Sequence, residues 1–451
     1  MLTRREFLGA TAAAGLAPGL LSAQAAAPKG DRPPQAAGVQ VLNPRGRVPM
    51  SLLVDDSTAL VNLAHFCIPQ FAHVNPKQFT QDWRKLPREI PDAFVRKFAG
   101  WCRENGVKGK YSMIPYPACV GWIDREIPGW TRKELDESLQ VVREFIAPDW
   151  DLTPEMVTHT RMIDTKTGKA HADYTIEHME NWWSKGKSAD QLADYCAYAL
   201  RAVRDAGLEC QGVTCPGGFG GQSLPAYSEA VLQACRDVYK TEIPFYLKKV
   251  HTDQRSVAPE VLCASGLDGP DPKCVISIIG CTGDWFGGWD GLEAGSVDKF
   301  ITEDLKGGRL PQVIAKGEPA VLVCHWPGLY FNGEEVGFKI FQGIVKRLQA
   351  AYDNLVWMKF SEIGRYWAAK ELTRIEQAGN RVTFRAPFAA PAFTVKVAGK
   401  VPTLTAQDKP VALREVQGLL KLESGTWTRD GDSVAVCFDL PKGESRLELA
   451  P

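Results

Sequence analysis

Two adjacent aspartates, Asp55 and Asp56, end a short apolar run near the start of the chain. Neighbouring anions repel each other unless a cation or a shared proton lies between them. Such a pair can divide two tasks, because one carboxylate can bind a divalent cation while the other takes a proton from water. The alternative is structural, since Asp is also common where a strand gives way to a helix.

Other side chains suited to catalysis or binding follow later apolar runs. His159 and His325 each follow one, and an imidazole can bind a metal ion or transfer a proton near neutral pH. Either histidine can instead be structural, bonded to a backbone carbonyl. Polar and aromatic residues in comparable positions are candidates for substrate contact, because indole rings stack on sugar rings. These candidates are Tyr116, Cys215, Asp284, Trp285 and Trp326.

The elements that must position these residues can be predicted from apolar runs that contain little charge, which is typical of buried parallel strands. The runs cover residues 49–54, 107–114, 155–159, 208–214, 274–280, 320–324 and 355–360. Amphipathic segments between them predict helices, two of which begin with the capping-box pairs Thr131/Glu134 and Ser188/Gln191. Strand followed by helix, repeated, predicts a parallel α/β sheet, and seven units favour a closed barrel. The carboxyl ends of its strands, and the candidate residues, would share one face.

The segments outside the strand–helix repeats predict a linker, an insertion and a second, all-β domain. Residues 28–47 are rich in Pro, Gly and Arg and predict a linker, and residues 48–370 form the predicted barrel. Residues 241–273 do not fit a simple strand–helix unit and predict an inserted hairpin or loop. Residues 371–451 alternate apolar and polar positions between turn residues, which predicts a small all-β sandwich that either packs on the barrel or binds sugars.

The first 27 residues predict a twin-arginine signal peptide, because Arg4-Arg5 precede a mildly apolar stretch and a small-residue cleavage site. Recognition by the twin-arginine translocase would make the protein periplasmic or secreted. No later stretch is apolar for long enough to span a bilayer. Basic and acidic residues number 53 each, without a basic run, so nucleic-acid binding is not expected. The 12 cysteines contain no CxxC pair, which predicts mainly buried free thiols with one or two disulfides possible.

Over about residues 48–367 the pattern resembles the polysaccharide deacetylase, or NodB-like, family of carbohydrate esterases. The resemblance rests on Asp55-Asp56, on Leu322-Val323-Cys324-His325, which has one residue more than the family's Leu-x-His, and on Phe360-Ser361-Glu362-Ile363. It implies a (β/α)7 barrel in which Asp55 is the catalytic base and Asp56 binds a divalent metal ion such as zinc, cobalt or nickel. It also implies that His325 is the general acid.

Two family motifs are incomplete in this chain. His159 matches the start of the His-x-x-x-His motif, but Ile163 occupies the position of the second histidine. The resemblance then implies His159 as a metal ligand, with Asp164 or His171 as the third. The family's Arg-x-Pro motif is represented by Cys215-Pro216 without its arginine.

These observations predict an exported, metal-dependent hydrolase that removes acetyl groups from a saccharide or polysaccharide. Two alternatives remain open. One is a glycosidase or lyase that uses Asp55, Asp56 or Glu362 without a metal. The other is a carbohydrate-binding protein whose barrel has lost its catalytic activity.

Overall fold

The computed structural model describes residues 28–450, so the predicted signal peptide lies outside the described residues. Within this range no helix is both long and apolar enough to cross a membrane. The helices are α1 (Leu63–Val74), α2 (Asp92–Glu104), α3 (Arg132–Val141), α4 (Glu180–Trp183), α5 (Ala189–Asp205), α6 (Leu224–Tyr239), α7 (Val297–Phe300), α8 (Arg309–Ala315), α9 (Trp326–Tyr330), α10 (Val336–Ala351) and α11 (Phe360–Leu372).

The strands divide at helix α11. Those before it are β1 (Val39–Val41), β2 (Val48–Asp55), β3 (Gly109–Ser112), β4 (Trp150–Thr153), β5 (Ile163–Asp164), β6 (Lys169–Ala170), β7 (Gly212–Thr214), β8 (Phe245–Val250), β9 (Glu260–Ser265), β10 (Lys273–Gly280), β11 (Ala320–His325) and β12 (Leu355–Trp357). Those after it are β13 (Arg374–Ala378), β14 (Arg381–Ala386), β15 (Ala390–Ala398), β16 (Pro402–Ala406), β17 (Lys409–Val411), β18 (Arg414–Glu415), β19 (Thr426–Asp430), β20 (Ser433–Leu440) and β21 (Gly443–Leu449).

Parallel strands form the centre of a mixed α/β fold, as predicted. One sheet has the order β11-β2-β3-β4, with β12 beside the first residues of β2. The other has the order β7-β8-β10-β9, in which β9 is an antiparallel edge strand. An isolated parallel bridge between Leu152 and Cys210 links the sheets on one side. On the other side, the Cys281 N–H donates to the carbonyl of Val321 at 2.8 Å. The ladders of the described residues do not form one continuous closed ring.

Two strand predictions were wrong. The third strand was expected at residues 155–159 but is β4, which ends before Pro154. Met156 and His159 have φ values of 52° and 66°, outside the extended region, so this segment is an irregular loop. The segment 241–273 was expected to be an insertion, yet it contains β8, a central parallel strand. Lysines interrupt the apolar run of β8, so the search for uncharged apolar runs did not detect this strand.

The helix predictions were largely confirmed. The side chains of Thr131 and Ser188 accept hydrogen bonds from the backbone three residues on, and both capping boxes are complete. Helix α2 buries Phe94, Phe98 and Cys102 on one face, as its periodicity predicts. Helix α2 packs against the parallel sheet, because the Phe98 ring lies 5.4 Å from that of Trp150 in β4.

The residues after α11 are all-β, as predicted. They form two five-stranded sheets with the orders β1-β15-β20-β19-β18 and β13-β14-β21-β16-β17. Strand β1, which lies in the segment predicted to be a linker, is an edge strand of the first sheet. The Phe384 ring lies 6.1 Å from the ring of Phe393 and 5.7 Å from that of Phe438, so the two sheets share an aromatic core. All 12 cysteines fall within the described residues and are free thiols.

Candidate active site

Three buried side chains converge beyond the carboxyl ends of β2 and β4. His159 Nε2 lies 2.9 Å from Asp56 Oδ1 and 3.3 Å from Glu155 Oε1. Each of the three residues offers one ligand atom, and these atoms lie within 4.8 Å of one another. We call Asp56, Glu155 and His159 the inner cluster. The predicted approach of Asp56 and His159 is therefore present in the structure, and Glu155 accompanies them.

The backbone of the inner cluster is held in an uncommon conformation. Asp56 and His159 have φ values of 59° and 66°, in the left-handed region that few non-glycine residues adopt. Hydrogen bonds offset the strain: Asp56 N donates to Glu155 Oε2 at 2.8 Å, and His159 N donates to Glu180 Oε2 at 2.6 Å. Strained residues held in this way are often found at functional sites.

Glu180, the first residue of α4, anchors the loop that carries His159. Its Oε1 accepts hydrogen bonds from the N–H groups of Val157 and Thr158, both at 3.0 Å, and from the hydroxyl of Tyr195. Burial raises the pKa of the Glu180 carboxyl to about 7. Sequence analysis missed Glu155 and Glu180, because the loop was predicted to be a strand and the acid that organises it lies 21 residues beyond His159.

Asp55, the last residue of β2, is paired with a fully buried lysine. Lys110 Nζ, from β3, donates hydrogen bonds to Asp55 Oδ1 and to the hydroxyl of Ser112. The Ser112 hydroxyl lies 3.2 Å from Asp55 Oδ1 and 2.9 Å from Glu155 Oε2, and so connects Asp55 with the inner cluster. Burial raises the pKa of the Asp55 carboxyl to about 6, and the charge of Glu155 adds to this effect while Lys110 opposes it.

His325 ends β11 beside Asp55, which is its partner in the parallel register with β2. His325 Nδ1 lies 2.7 Å from Asp284 Oδ2, so this bond leaves Nε2 as the ring atom that can reach a ligand. Burial opposes protonation, but the charge of Asp56 and the bond with Asp284 raise the pKa of the imidazole to about 10. His325 is therefore protonated at neutral pH, and Asp284 is its partner.

The donor set of the inner cluster fits a divalent cation. Ligand atoms bound at about 2.1 Å around one ion lie about 3.0 to 3.4 Å apart, depending on the coordination geometry. The observed separations of 2.9 and 3.3 Å are close to that range. Moreover, Asp56 Oδ1 is buried and, among the described residues, accepts no hydrogen bond of adequate geometry even though His159 Nε2 is near. Such an acceptor is costly to bury unless a cation satisfies it.

Without a cation, charge within the inner cluster is balanced by a proton. Burial alone would lower the pKa of the His159 imidazole, but the charge of Asp56 outweighs burial and holds this pKa well above its ordinary value. Burial would likewise raise the pKa of Glu155, yet His159 and Lys110 hold it at about 2. Either a protonated His159 or a bound divalent metal ion can therefore balance the negative charges of Asp56 and Glu155.

The two residues implied as third ligands lie outside the inner cluster. Asp164 is exposed in β5, where its carboxylate accepts the N–H of Lys166 at 2.9 Å and closes a turn. His171 lies beyond that turn, and its ring stacks on His178 with 4.1 Å between centroids. Asp164 is held by the turn at Lys166 and His171 by the hydrogen bond of its N–H to the carbonyl of Met162, so chain proximity to His159 did not bring them to it.

The predicted substrate-contact residues are not equally accessible. Trp326 is 1 % exposed and packs against Phe94 and Phe98, so it belongs to the core. Tyr116 is half-buried and stacks on Trp122 at 4.5 Å. Trp285 is also half-buried, with its ring 5.3 Å from that of Phe300.

Cys215 and a lysine that sequence analysis missed lie near the carboxyl ends of β7 and β8. The Cys215 thiol donates to the Tyr227 hydroxyl at 3.0 Å. Lys248, from the unexpected strand β8, donates to the carbonyl of Gly217. Burial lowers the pKa of the Lys248 ammonium, while the charges of Asp55 and Glu155 oppose the change. Strand β8 therefore places the ammonium group of Lys248 near the carboxylates of the site.

Glycines in the segment 283–291 allow its backbone to pack closely against a second backbone segment. A Cβ on Gly287 would lie 2.1 Å from the carbonyl oxygen of Gly328, and a Cβ on Gly328 would lie 2.1 Å from that of Gly288. The two backbones therefore approach too closely for any side chain. Trp289 from the same segment contacts Phe71 and Phe79, with ring centroids 6.2 and 6.0 Å apart.

Glu362, an alternative acid in the sequence analysis, lies at the other end of the sheet. Strand β12 pairs only with Val48 to Met50, the start of β2, so its carboxyl end does not reach the level of Asp55. Glu362 accepts the N–H of Lys359 at 2.9 Å and contacts Lys108 Nζ at 3.1 Å. It caps α11 and does not reach the inner cluster.

No family model matches the chain, and the comparison with curated proteins gave no match. Among solved structures, a mutant of the CE4 family pseudoenzyme BA3943 is similar at 11 % identity and a TM-score of 0.29, over 61 % of this chain and 63 % of that chain. Puue allantoinase is similar at 10 % identity and a TM-score of 0.39, over 72 % and 91 % of the two chains. A 4-alpha-glucanotransferase from Thermococcus litoralis is similar at 9 % identity and a TM-score of 0.32, over 70 % and 40 %. The chain thus spans less than two thirds of the pseudoenzyme's length.

Proposed function

We propose that this chain is an exported, divalent-metal-dependent hydrolase that removes acetyl groups from a saccharide, built on a NodB-like (β/α)7 barrel. The observation that carries the proposal is the buried inner cluster, with Asp55 on one side and His325 on the neighbouring strand. The Arg4-Arg5 motif supports export by the twin-arginine translocase. The all-β residues after α11 form the proposed sandwich.

In this proposal Asp56, Glu155 and His159 hold the metal ion. When bound, a zinc, cobalt or nickel ion in such a site acidifies water and polarises a carbonyl group. The other residues have separate tasks. Asp55 accepts the proton of the attacking water, and Lys110 keeps that carboxylate in place. His325 donates a proton to the leaving nitrogen or oxygen through Nε2, because Asp284 occupies Nδ1.

Aromatic side chains beside the inner cluster support a carbohydrate substrate. The Phe71 ring lies 6.3 Å from that of His159 but is only 4 % exposed. The half-buried rings of Phe79 and Trp289, 6.0 Å apart and both in contact with Phe71, are therefore the ones that can face a ligand. Sugar rings stack their C–H faces on such surfaces. An acetylated sugar resting on this group would present a substituent toward Asp55 and His325.

A second candidate function is metal-independent glycoside hydrolysis. Asp55 and Glu155 are both hydrogen-bonded to the Ser112 hydroxyl, and their surroundings push their pKa values apart, to about 6 and about 2. Two carboxyls with separated pKa values can act as acid and nucleophile. Under this alternative, His159 would remain an imidazolium that balances Asp56 and Glu155.

The test is to purify residues 28–451, remove metal with a chelator, and measure acetate release and reducing-end formation from acetylated and plain oligosaccharides. The proposal predicts that acetate release depends on added zinc, cobalt or nickel and is lost in Asp56→Ala and Glu155→Gln. Asp164→Asn, at the exposed turn, is the control and should behave as wild type. Metal-independent formation of reducing ends would support the glycosidase instead. Binding of glycans without either product would support the carbohydrate-binding protein.

A further inference from the structure

A second group of metal-binding side chains lies in the segment that follows His159. The rings of His171 and His178 stack with 4.1 Å between centroids and 17° between planes. Both carboxylate oxygens of Asp173 lie 2.9 Å from His178 Nδ1. One ligand atom from each of the three residues lies within 4.8 Å of the others. We call these three residues the outer cluster.

The main chain holds the two histidines side by side. The N–H of Met162 donates to the carbonyl of His178 at 2.7 Å, and the carbonyl of Met162 accepts the N–H of His171 at 3.0 Å. The side chain of Met162 is 2 % exposed, so both of these hydrogen bonds are made by a residue that is anchored in the core. The two imidazoles are therefore brought together by the fold of the loop and not by a chance side-chain conformation.

The outer cluster also lies on the loop whose base holds the inner cluster. Residues 160–179 connect His159 with Glu180, and the loop is closed at its base in two places. His159 N donates to Glu180 Oε2 at 2.6 Å, and Glu180 N donates to the carbonyl of Thr160 at 2.7 Å. An ion bound by the outer cluster would join the middle of this loop, at His171 and Asp173, to its second end, at His178.

We propose that His171, Asp173 and His178 bind a divalent transition-metal ion, of the zinc type, that stabilises the loop 160–179. Two imidazoles and one carboxylate are a common ligand set for such ions, and the partly exposed position leaves room for water as a further ligand. Binding releases to solvent the proton that His178 Nδ1 shares with Asp173. This site is independent of the proposed acetyl hydrolysis.

Equilibrium dialysis with zinc tests the site in residues 28–451 and in three variants. Wild type should bind two equivalents, Asp56→Ala/His159→Ala one, His171→Ala/His178→Ala one, and the fourfold variant none. If His171→Ala/His178→Ala binds as much zinc as wild type with the same affinity, the outer site is refuted. If wild type binds a single ion that only His171→Ala/His178→Ala loses, the outer site stands and the inner one fails.

Limited trypsin digestion supplies a readout that does not depend on activity. Lys166 and Lys169 are exposed between His159 and the outer cluster. Zinc should slow cleavage at these lysines in wild type and in Asp56→Ala/His159→Ala, but not in His171→Ala/His178→Ala. Equal protection in all three proteins, or none in any, would contradict the proposal. Circular dichroism without metal confirms that the variants are folded.

Discussion

At the scale of single residues, Lys110 pairs with Asp55 inside the fold. In the structure Lys110 Nζ, 0 % exposed, donates directly to Asp55. A buried ion pair of this kind adds little net stability, but removing one partner leaves the other charge uncompensated.

We therefore expect Lys110→Met to lower the free energy of unfolding by about 3 kcal/mol, the cost of breaking a buried ion pair. Asp55→Asn/Lys110→Met removes both charges and should recover part of that loss. Urea unfolding of wild type, both single variants and the double variant measures the coupling. Additive losses would show that the two side chains do not interact.

Asp284 makes a second residue-scale prediction, because it holds the proton of His325. Since the folded-state pKa of about 10 exceeds the ordinary value, protonation of His325 stabilises the fold below about pH 6.5 and this contribution is lost as pH rises toward 10. Asp284→Asn should lower the pKa of His325 and shift that loss to lower pH. NMR titration of the metal-free protein, with His325→Asn used for assignment, measures the change. An unchanged pKa would exclude Asp284 as the main partner.

At the scale of elements, the sequence predicted those segments whose signals are local. Capping boxes and apolar faces located α3 and α5, and apolar runs located β2, β10 and β11. The loop 155–159 was misread because its conformation is imposed by Glu180, a distant residue whose contacts leave no local pattern. Strand β8 was missed because Lys248 and Lys249 interrupt its apolar run, and their partners, the carbonyl of Gly217 and the carboxylate of Glu260, are brought near only by the fold.

Glu180 makes the element-scale prediction, since it holds the His159 loop without joining the inner cluster. Glu180→Gln would place an amide donor among the backbone N–H groups that now share the carboxylate. We expect metal affinity at the inner cluster to fall by about tenfold or more, as when supporting residues of metal sites are replaced.

The matched control is Tyr195→Phe, which removes only the hydroxyl that also donates to Glu180. It should cost about 1 kcal/mol of stability and leave the backbone clamp in place. Zinc titration of wild type and both variants makes the comparison. Equal affinities in Glu180→Gln and wild type would show that the loop does not depend on this carboxylate.

At the scale of the whole molecule, the two parts of the fold share helix α11. The Tyr366 hydroxyl donates to the carbonyl of Leu42 at 2.7 Å and accepts the N–H of Thr394 at 3.2 Å, which joins α11 to β15 and to the residue that follows β1. All 12 cysteines are free thiols. Burial raises the pKa of Cys67 to about 11 and that of Cys281 to about 12, which suppresses the reactive thiolate.

The most direct measurement is an anomalous difference map, at the zinc absorption edge, of crystals grown with zinc. We expect a peak between Asp56 Oδ1, Glu155 Oε1 and His159 Nε2, and its absence in crystals of Asp56→Ala. A wild-type map with no peak at these three atoms, from crystals in which zinc occupies other positions, would contradict the proposed metal centre.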